Sequence, residues 1–142
     1  MNGGTGDQIS DVFGEDAEDV VGGFITGLSN SNYEITSKEE DEDGIAKASS
    51  VRLMNGSTGV QISVLFGDLE GDALGQRIDD GFIAHNAVTA LSNNNYVITS
   101  PSDDNGAIID AGSVRLMDGT TGIQIGGIIF GDQEDDKTGD CL

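Results

Sequence analysis

The chain has no Trp, one Pro, one Cys and one His, and its aromatic residues are five Phe and two Tyr. Each scarcity excludes something. So few bulky side chains in 142 residues cannot fill one large core, so several small cores are expected. Cys141 stands alone, which leaves no internal disulfide and no thiolate metal cluster. Only six Lys and Arg oppose 26 Asp and Glu, a formal net charge of -20. Such a surface repels phosphate backbones and anionic bilayers, so no nucleic acid partner is expected. No apolar run approaches the roughly 20 residues that cross a bilayer as a helix, and membrane insertion is not expected. Nor does any segment sustain a 3.6-residue apolar period. The 22 Gly, set among short Val- and Ile-rich runs, favour strands and turns over helices.

What the chain does have is repetition. Leu28 to Ile62 superimposes without a gap on Leu91 to Ile125, 63 residues later, with 21 of 35 positions identical. The phrases NSNYEITS and NNNYVITS correspond, as do SVRLMNGSTGVQI and SVRLMDGTTGIQI. A third copy opens the chain, where Met1 to Ile9 matches Met54 to Ile62 and Phe13-Gly14 matches Phe66-Gly67. Gly139-Asp140-Cys141-Leu142 likewise repeats Gly71-Asp72-Ala73-Leu74. The expected organisation is a partial repeat over 1–18 (the last strand of a preceding unit), unit 1 over 19–71, unit 2 over 72–138, and the opening of a further unit at 139–142. Either a longer array or a subunit completed by neighbouring copies would account for such ends.

Alternation of two unlike faces predicts four short strands per unit. In unit 1 these are Phe24 to Leu28, Tyr33 to Ser37, Ser50 to Met54 and Val60 to Phe66; in unit 2, Ala87 to Leu91, Tyr96 to Ser100, Ser113 to Met117 and Ile123 to Phe130. Asn30-Ser31-Asn32 and Asn93-Asn94-Asn95 read as turns in which Asn bonds its own backbone. Asn55-Gly56 and Asp118-Gly119 read as tight hairpins with positive φ at the dipeptide. The connections Lys38 to Ser49 and Pro101 to Gly112 are longer and acidic, the kind of loop where function usually sits. Ten additional residues lie between Asp72 and Val88, in GQRIDDGFIAHNA; that insertion contains Arg77 and His85 and reads as a loop, where a single His is a solvated side chain more often than a ligand or base.

Four antiparallel strands per unit of about 60 residues resemble a β-propeller blade. GDALG followed by VTALSNNNYVITSPSDDNGAIIDAGSVRLMDGTTG resembles FG-GAP-like (integrin α-type) propeller repeats and is similar to repeats of bacterial filamentous-haemagglutinin-like surface adhesins. The likeness is good over 72–138, decays over 19–71 and is partial over 1–18. Unit 1 departs with Lys38-Glu39 where unit 2 has Pro101-Ser102. The expected fold is all-β: tandem four-stranded antiparallel blade-like repeats, a partial β-propeller or propeller-like array. The resemblance implies an exported, extracellular or cell-surface protein that works by adhesion and contact.

Candidate chemistry is confined to acidic turns. Asp68-Leu69-Glu70-Gly71-Asp72 places oxygens at alternate positions, as calcium loops do, because calcium takes six to eight oxygen ligands. The counterpart runs from Asp132 through Glu134 and Asp136 to Asp140. Asp68, Glu70, Asp72, Asp132, Glu134, Asp136 and Asp140 are therefore the candidate metal ligands, and calcium the candidate cofactor. Against this, Ala73 replaces the turn Gly, Gln76 stands where a carboxylate would, and Lys137 occupies the turn in the second copy; acidic turns facing water are the competing reading. Asp103 and Asp104 are adjacent, whereas hydrolytic carboxylate pairs flank a substrate. No Ser-His-Asp order, phosphate-cradling loop or His/Cys cluster is present, and Thr58, Thr120 and Thr121 are accounted for by turn chemistry. The expected function is a non-enzymatic structural or adhesion repeat module. Its partners would be other copies of itself, neighbouring repeats of a longer chain, or an extracellular protein or glycan. The alternatives are a self-assembling filament or sheath subunit and a calcium- or carbohydrate-binding module.

Overall fold

A computed structural model describes residues 4–13, 20–38, 40, 48–69, 73–79 and 83–134. The described residues form ten strands and no helix. β1 (Phe24–Gly27), β2 (Tyr33–Ser37), β3 (Ser50–Met54) and β4 (Gln61–Phe66) make a four-stranded meander. β7 (Val88–Ala90), β8 (Tyr96–Ser100), β9 (Ser113–Met117) and β10 (Ile129–Phe130) make another in the same order. β5 (Gln76–Asp79) and β6 (Ile83–Asn86) form a separate hairpin between them. All pairings are antiparallel. The chain is therefore all-β and built of two tandem four-stranded units; among the described residues no ring of blades closes.

The registers repeat with the sequence. Tyr33 faces Met54 and Ile35 faces Arg52, as Tyr96 faces Met117 and Ile98 faces Arg115. Because facing residues share a side of the sheet, Glu34, Thr36, Val51 and Leu53 lie on one face of the first sheet. Tyr96, Ile98, Met117 and Val88 lie on the opposite-type face of the second. These two faces meet. Val51 and Leu53 join Val88, Tyr96, Ile98, Met117, Leu28 and Leu74 in one buried cluster, flanked by Ile62 and Leu65. The core thus lies between the repeats, and each buried aliphatic side chain there contributes roughly 1.5–3 kcal/mol.

Three expectations are corrected. The insertion before Val88 is a hairpin, not a loop: Arg77 pairs with His85 across β5 and β6, and Ala87 N donates to Gly75 O at its base. The strand expected over Ile123 to Phe130 survives only as Ile129–Phe130 plus an isolated Met117–Gln124 bridge. In unit 1, Gln61 to Leu65 spans Val51 to Met54 with one surplus residue, a bulge. In unit 2, Gln124 to Ile129 must span the equivalent Val114 to Met117 with two, and Gly126 turns out at φ 75°. A second surplus residue cannot be absorbed in one bulge, so the ladder breaks.

The third correction concerns the hairpin turns. The loop is wider than a two-residue turn. Asn55 Oδ1 accepts from Ser57 N and Thr58 N, Asp118 Oδ1 accepts from Thr120 N and Thr121 N, and positive φ falls on Gly59 and Gly122. Gly56 and Gly119 are needed for a different reason: a Cβ at either would collide with the carbonyl of Ser31 or Asn94 in the neighbouring turn. The Asn turns behave as read, with Asn32 N donating to Asn30 Oδ1 and Asn95 N to Asn93 Oδ1.

Candidate functional site

The acidic turns do not converge. Asp68, Asp132 and Glu134 are exposed in the segments after β4 and β10. Glu70, Asp72, Asp136 and Asp140 lie outside the described residues. Among the described residues no group of three or more His, Cys, Asp or Glu is placed to hold a metal ion. Ala73, expected to spoil the turn, adopts the left-handed backbone at φ 50° and is buried.

The buried charges lie elsewhere. The two connections expected as open acidic loops each fold a carboxylate back against the sheet. In unit 2, Asp103 is buried beside Arg115, with Arg115 Nη2 2.7 Å from Asp103 Oδ2. Ser113 Oγ donates to the same oxygen. Unit 1 repeats the arrangement with Glu40, Arg52 and Ser50, and Arg52 Nη1 also donates to Gln61 Oε1 at 2.8 Å. Burial raises the Asp103 pKa; the Ser113 hydrogen bond and the Arg115 charge oppose that, while Asp68 and Asp104 add to it. Asp68 of the first unit therefore lies close enough to the second to act on its ion pair.

Glu34 is a third buried carboxylate, fully enclosed on the face that meets the second repeat. Neither oxygen has a hydrogen-bond partner, and loss of solvation pushes its pKa up to about 8. Burial raises the Tyr96 hydroxyl, and the charges of Glu34 and Asp118 raise it further. The same strand position in the second unit is Val97.

Sequence reading missed Glu40, Arg52, Arg115 and Glu34, and weighed Asp103 only as a hydrolytic carboxylate beside Asp104, not as the partner of an Arg. A signal was present: two of only six cations sit at matching positions inside the apolar phrase SVRLM, each with an acid twelve residues before it. Arg in a buried strand needs a partner.

The junction between units is the most elaborated surface. Ser29 Oγ donates to Asn94 Oδ1 at 2.6 Å, Asn30 Nδ2 and Asn32 Nδ2 both donate to Gly119 O at 2.9 Å, and Asn86 Nδ2 donates to Thr26 Oγ1 at 2.9 Å. Gly122, in the wide turn of unit 2, sits so close to Ser63 on β4 that a Cβ there would overlap its hydroxyl. Gly59 meets Ser10 in the same way, and Ser10 is the counterpart of Ser63 in the partial repeat. One docking geometry is therefore used twice along the chain.

Residues 27–68 and 90–139 match a family described as a repeat of unknown function, DUF5650. The chain belongs to that family. Each DUF5650 match begins at the end of a first strand, Gly27 of β1 or Ala90 of β7, and contains the other three. The buried acid, Arg and Ser lie inside both DUF5650 matches, whereas the hairpin β5–β6 lies outside them. No curated protein and no solved structure matches the chain.

Proposed function

We propose that this DUF5650 chain is a structural and adhesive repeat module of an exported or cell-surface protein, working through protein contact. The observation that carries this reading is recurrence. The buried Glu40–Arg52 and Asp103–Arg115 pairs occupy the same place in each unit, and the turn-on-serine contact recurs at each junction. A catalytic constellation is needed once, whereas a structural part is needed in every unit of an array. The charge of -20 keeps such a surface soluble and disfavours non-specific association with polyanions. The resemblance to surface-adhesin repeats agrees with this placement.

Protease shaving of intact cells tests the reading. An epitope on this chain should be cleaved without lysis, and protection until the cells are broken would overturn the surface assignment. Linking further copies of 72–134 in tandem tests the structural part. Each added unit should lengthen the particle by about 10 Å in small-angle scattering, the spacing of stacked sheets; compaction to a sphere would reject an array.

A further inference from the structure

The geometry points to Asn105 as a site of spontaneous covalent modification, at which the side-chain amide is lost through a cyclic imide with Gly106 to leave aspartate or isoaspartate. Water is the co-reactant.

The reaction needs an open peptide nitrogen beside an untethered carboxamide. The Gly106 nitrogen gives its proton to water and bonds to Asn105 Cγ; the Cγ–Nδ2 bond then breaks, and the nitrogen leaves as ammonia after regaining a proton. Water opens the five-membered ring at Cγ to give aspartate, or at the backbone carbonyl to give isoaspartate, whose main chain is one methylene longer. Nothing is oxidised or reduced. Glycine suits the second position because no Cβ crowds the attacking nitrogen.

The chain holds three Asn-Gly pairs, Asn2-Gly3, Asn55-Gly56 and Asn105-Gly106. Asn2 lies outside the described residues. At Asn55 the side-chain oxygen accepts from Ser57 N and Thr58 N, both at 2.9 Å, and Gly56 lies so close to Ser31 that a Cβ would overlap its carbonyl. That carboxamide is pinned. Asn105 is exposed, and its backbone exchanges hydrogen bonds of 3.0 and 3.1 Å with Ile108. Gly106, inside this turn at φ 64°, would have nothing within 4 Å of an added Cβ. Among the described residues nothing accepts from Gly106 N and nothing donates to Asn105 Oδ1; Asn105 Nδ2 makes a single bond of 3.5 Å, to Gly131 O. Attack at Asn105 therefore sacrifices little.

The repeat shows that the added charge fits. At the 63-residue offset Asn105 stands opposite Glu42, and Asn55 opposite Asp118, so each position is acidic in the other unit. Isoaspartate has no such counterpart. Its added methylene falls inside the Asn105–Ile108 turn and breaks the paired bonds there, in the connection that folds Asp103 against Arg115.

Peptide mass mapping of the whole chain, aged at mildly alkaline pH both folded and in denaturing urea, tests this. In the folded chain the Asn105 peptide should gain about 1 Da as the amide becomes an acid. Asn55 should convert at least about fivefold more slowly, because its carboxamide must first leave two hydrogen bonds; in urea the two should convert at like rates. Asn105→Gln, which would have to close a larger ring, should abolish the gain in that peptide. Limited proteolysis should cut aged chain within 101–112 faster than Asn105→Asp, which carries the charge without the methylene. An Asn105 that stays intact in the folded chain while urea converts it would overturn the proposal, as would Asn55 keeping pace with it when folded. A gain that persists in Asn105→Gln would place the change on another residue and overturn it too, and equal cutting would reject the opening of the turn.

Discussion

Arg115 lies 2.7 Å from Asp103 in a buried ion pair, and Arg52 with Glu40 forms the same pair 63 residues earlier. Taking one charge away leaves the other buried and uncompensated, which costs about 3–5 kcal/mol, whereas replacing both with apolar side chains is often close to neutral. Arg115→Met is therefore expected to lower stability by that amount in urea unfolding, and Asp103→Leu with Arg115→Met to recover most of it. In Arg115→Met the charge that lowers the Asp103 pKa is gone, so that pKa rises further. A group raised in the folded state gives its stability below its unfolded pKa and loses it as pH climbs, so the variant's deficit should grow with pH. A deficit equal in single and double variants would contradict the pairing.

Glu34 supplies a second pH dependence at the repeat junction. Its folded pKa of about 8 stands above the ordinary glutamate value of 4.5, so the folded state prefers the proton. Stability is fully retained below about pH 4.5, declines as pH rises, and levels off above about pH 8, a total of roughly 4–5 kcal/mol for a shift of this size. Tyr96 of the second repeat is a titratable group that its charge reaches. Glu34→Val installs the residue found at the same strand position of that repeat. The difference in unfolding free energy between variant and wild type should be small at pH 4 and favour the variant by several kcal/mol at pH 9. A difference that does not change with pH would exclude a buried, unpaired carboxyl.

Gly122 combines a close approach with a left-handed backbone at φ 70°. Gly122→Ala should cost about 1–2 kcal/mol from the backbone alone, with overlap on Ser63 added. Ser63→Gly in the same chain should return the overlap part and leave the backbone part. The homologous Gly59→Ala should instead loosen the segment around Ser10, read as faster limited proteolysis there with little change at the second repeat. Equal effects of both substitutions at both places would deny that the turn-on-serine contact is local.

The strands and their order were legible because alternation, Asn turns and the 63-residue repeat all pointed to the same elements. Tyr33–Ser37, Ser50–Met54, Tyr96–Ser100 and Ser113–Met117 have the bounds that the pattern predicts. The hairpin β5–β6 was hidden because it has no counterpart in the first unit and the repeat offset marked it as surplus. The fate of Glu40 and Asp103 was hidden for a physical reason. An acidic connection has the same composition whether its carboxylates face water or fold under a sheet, and only the Arg inside the apolar strand distinguishes the two.

The broken fourth strand offers the last test. β4 holds its ladder against β3 with one bulge, while in unit 2 the pairing continues only as far as Ile125 N on Leu116 O and resumes at Ile129, the stretch Gly126 to Ile128 being lost to a second surplus residue. Replacing Gly126-Gly127 with a single Ser removes one residue and restores the length found in unit 1. The register from Val114–Ile129 to Met117–Gln124 then needs a single bulge, which sheets accommodate. Amide exchange over this segment should slow at least about tenfold and stability should rise by about 0.5–1 kcal/mol per restored hydrogen bond. The new Ser would also stand at the sequence position equivalent to Ser63 of the first unit. Unchanged exchange would show that the interruption is set by something other than the residue count, with the two glycines as passengers.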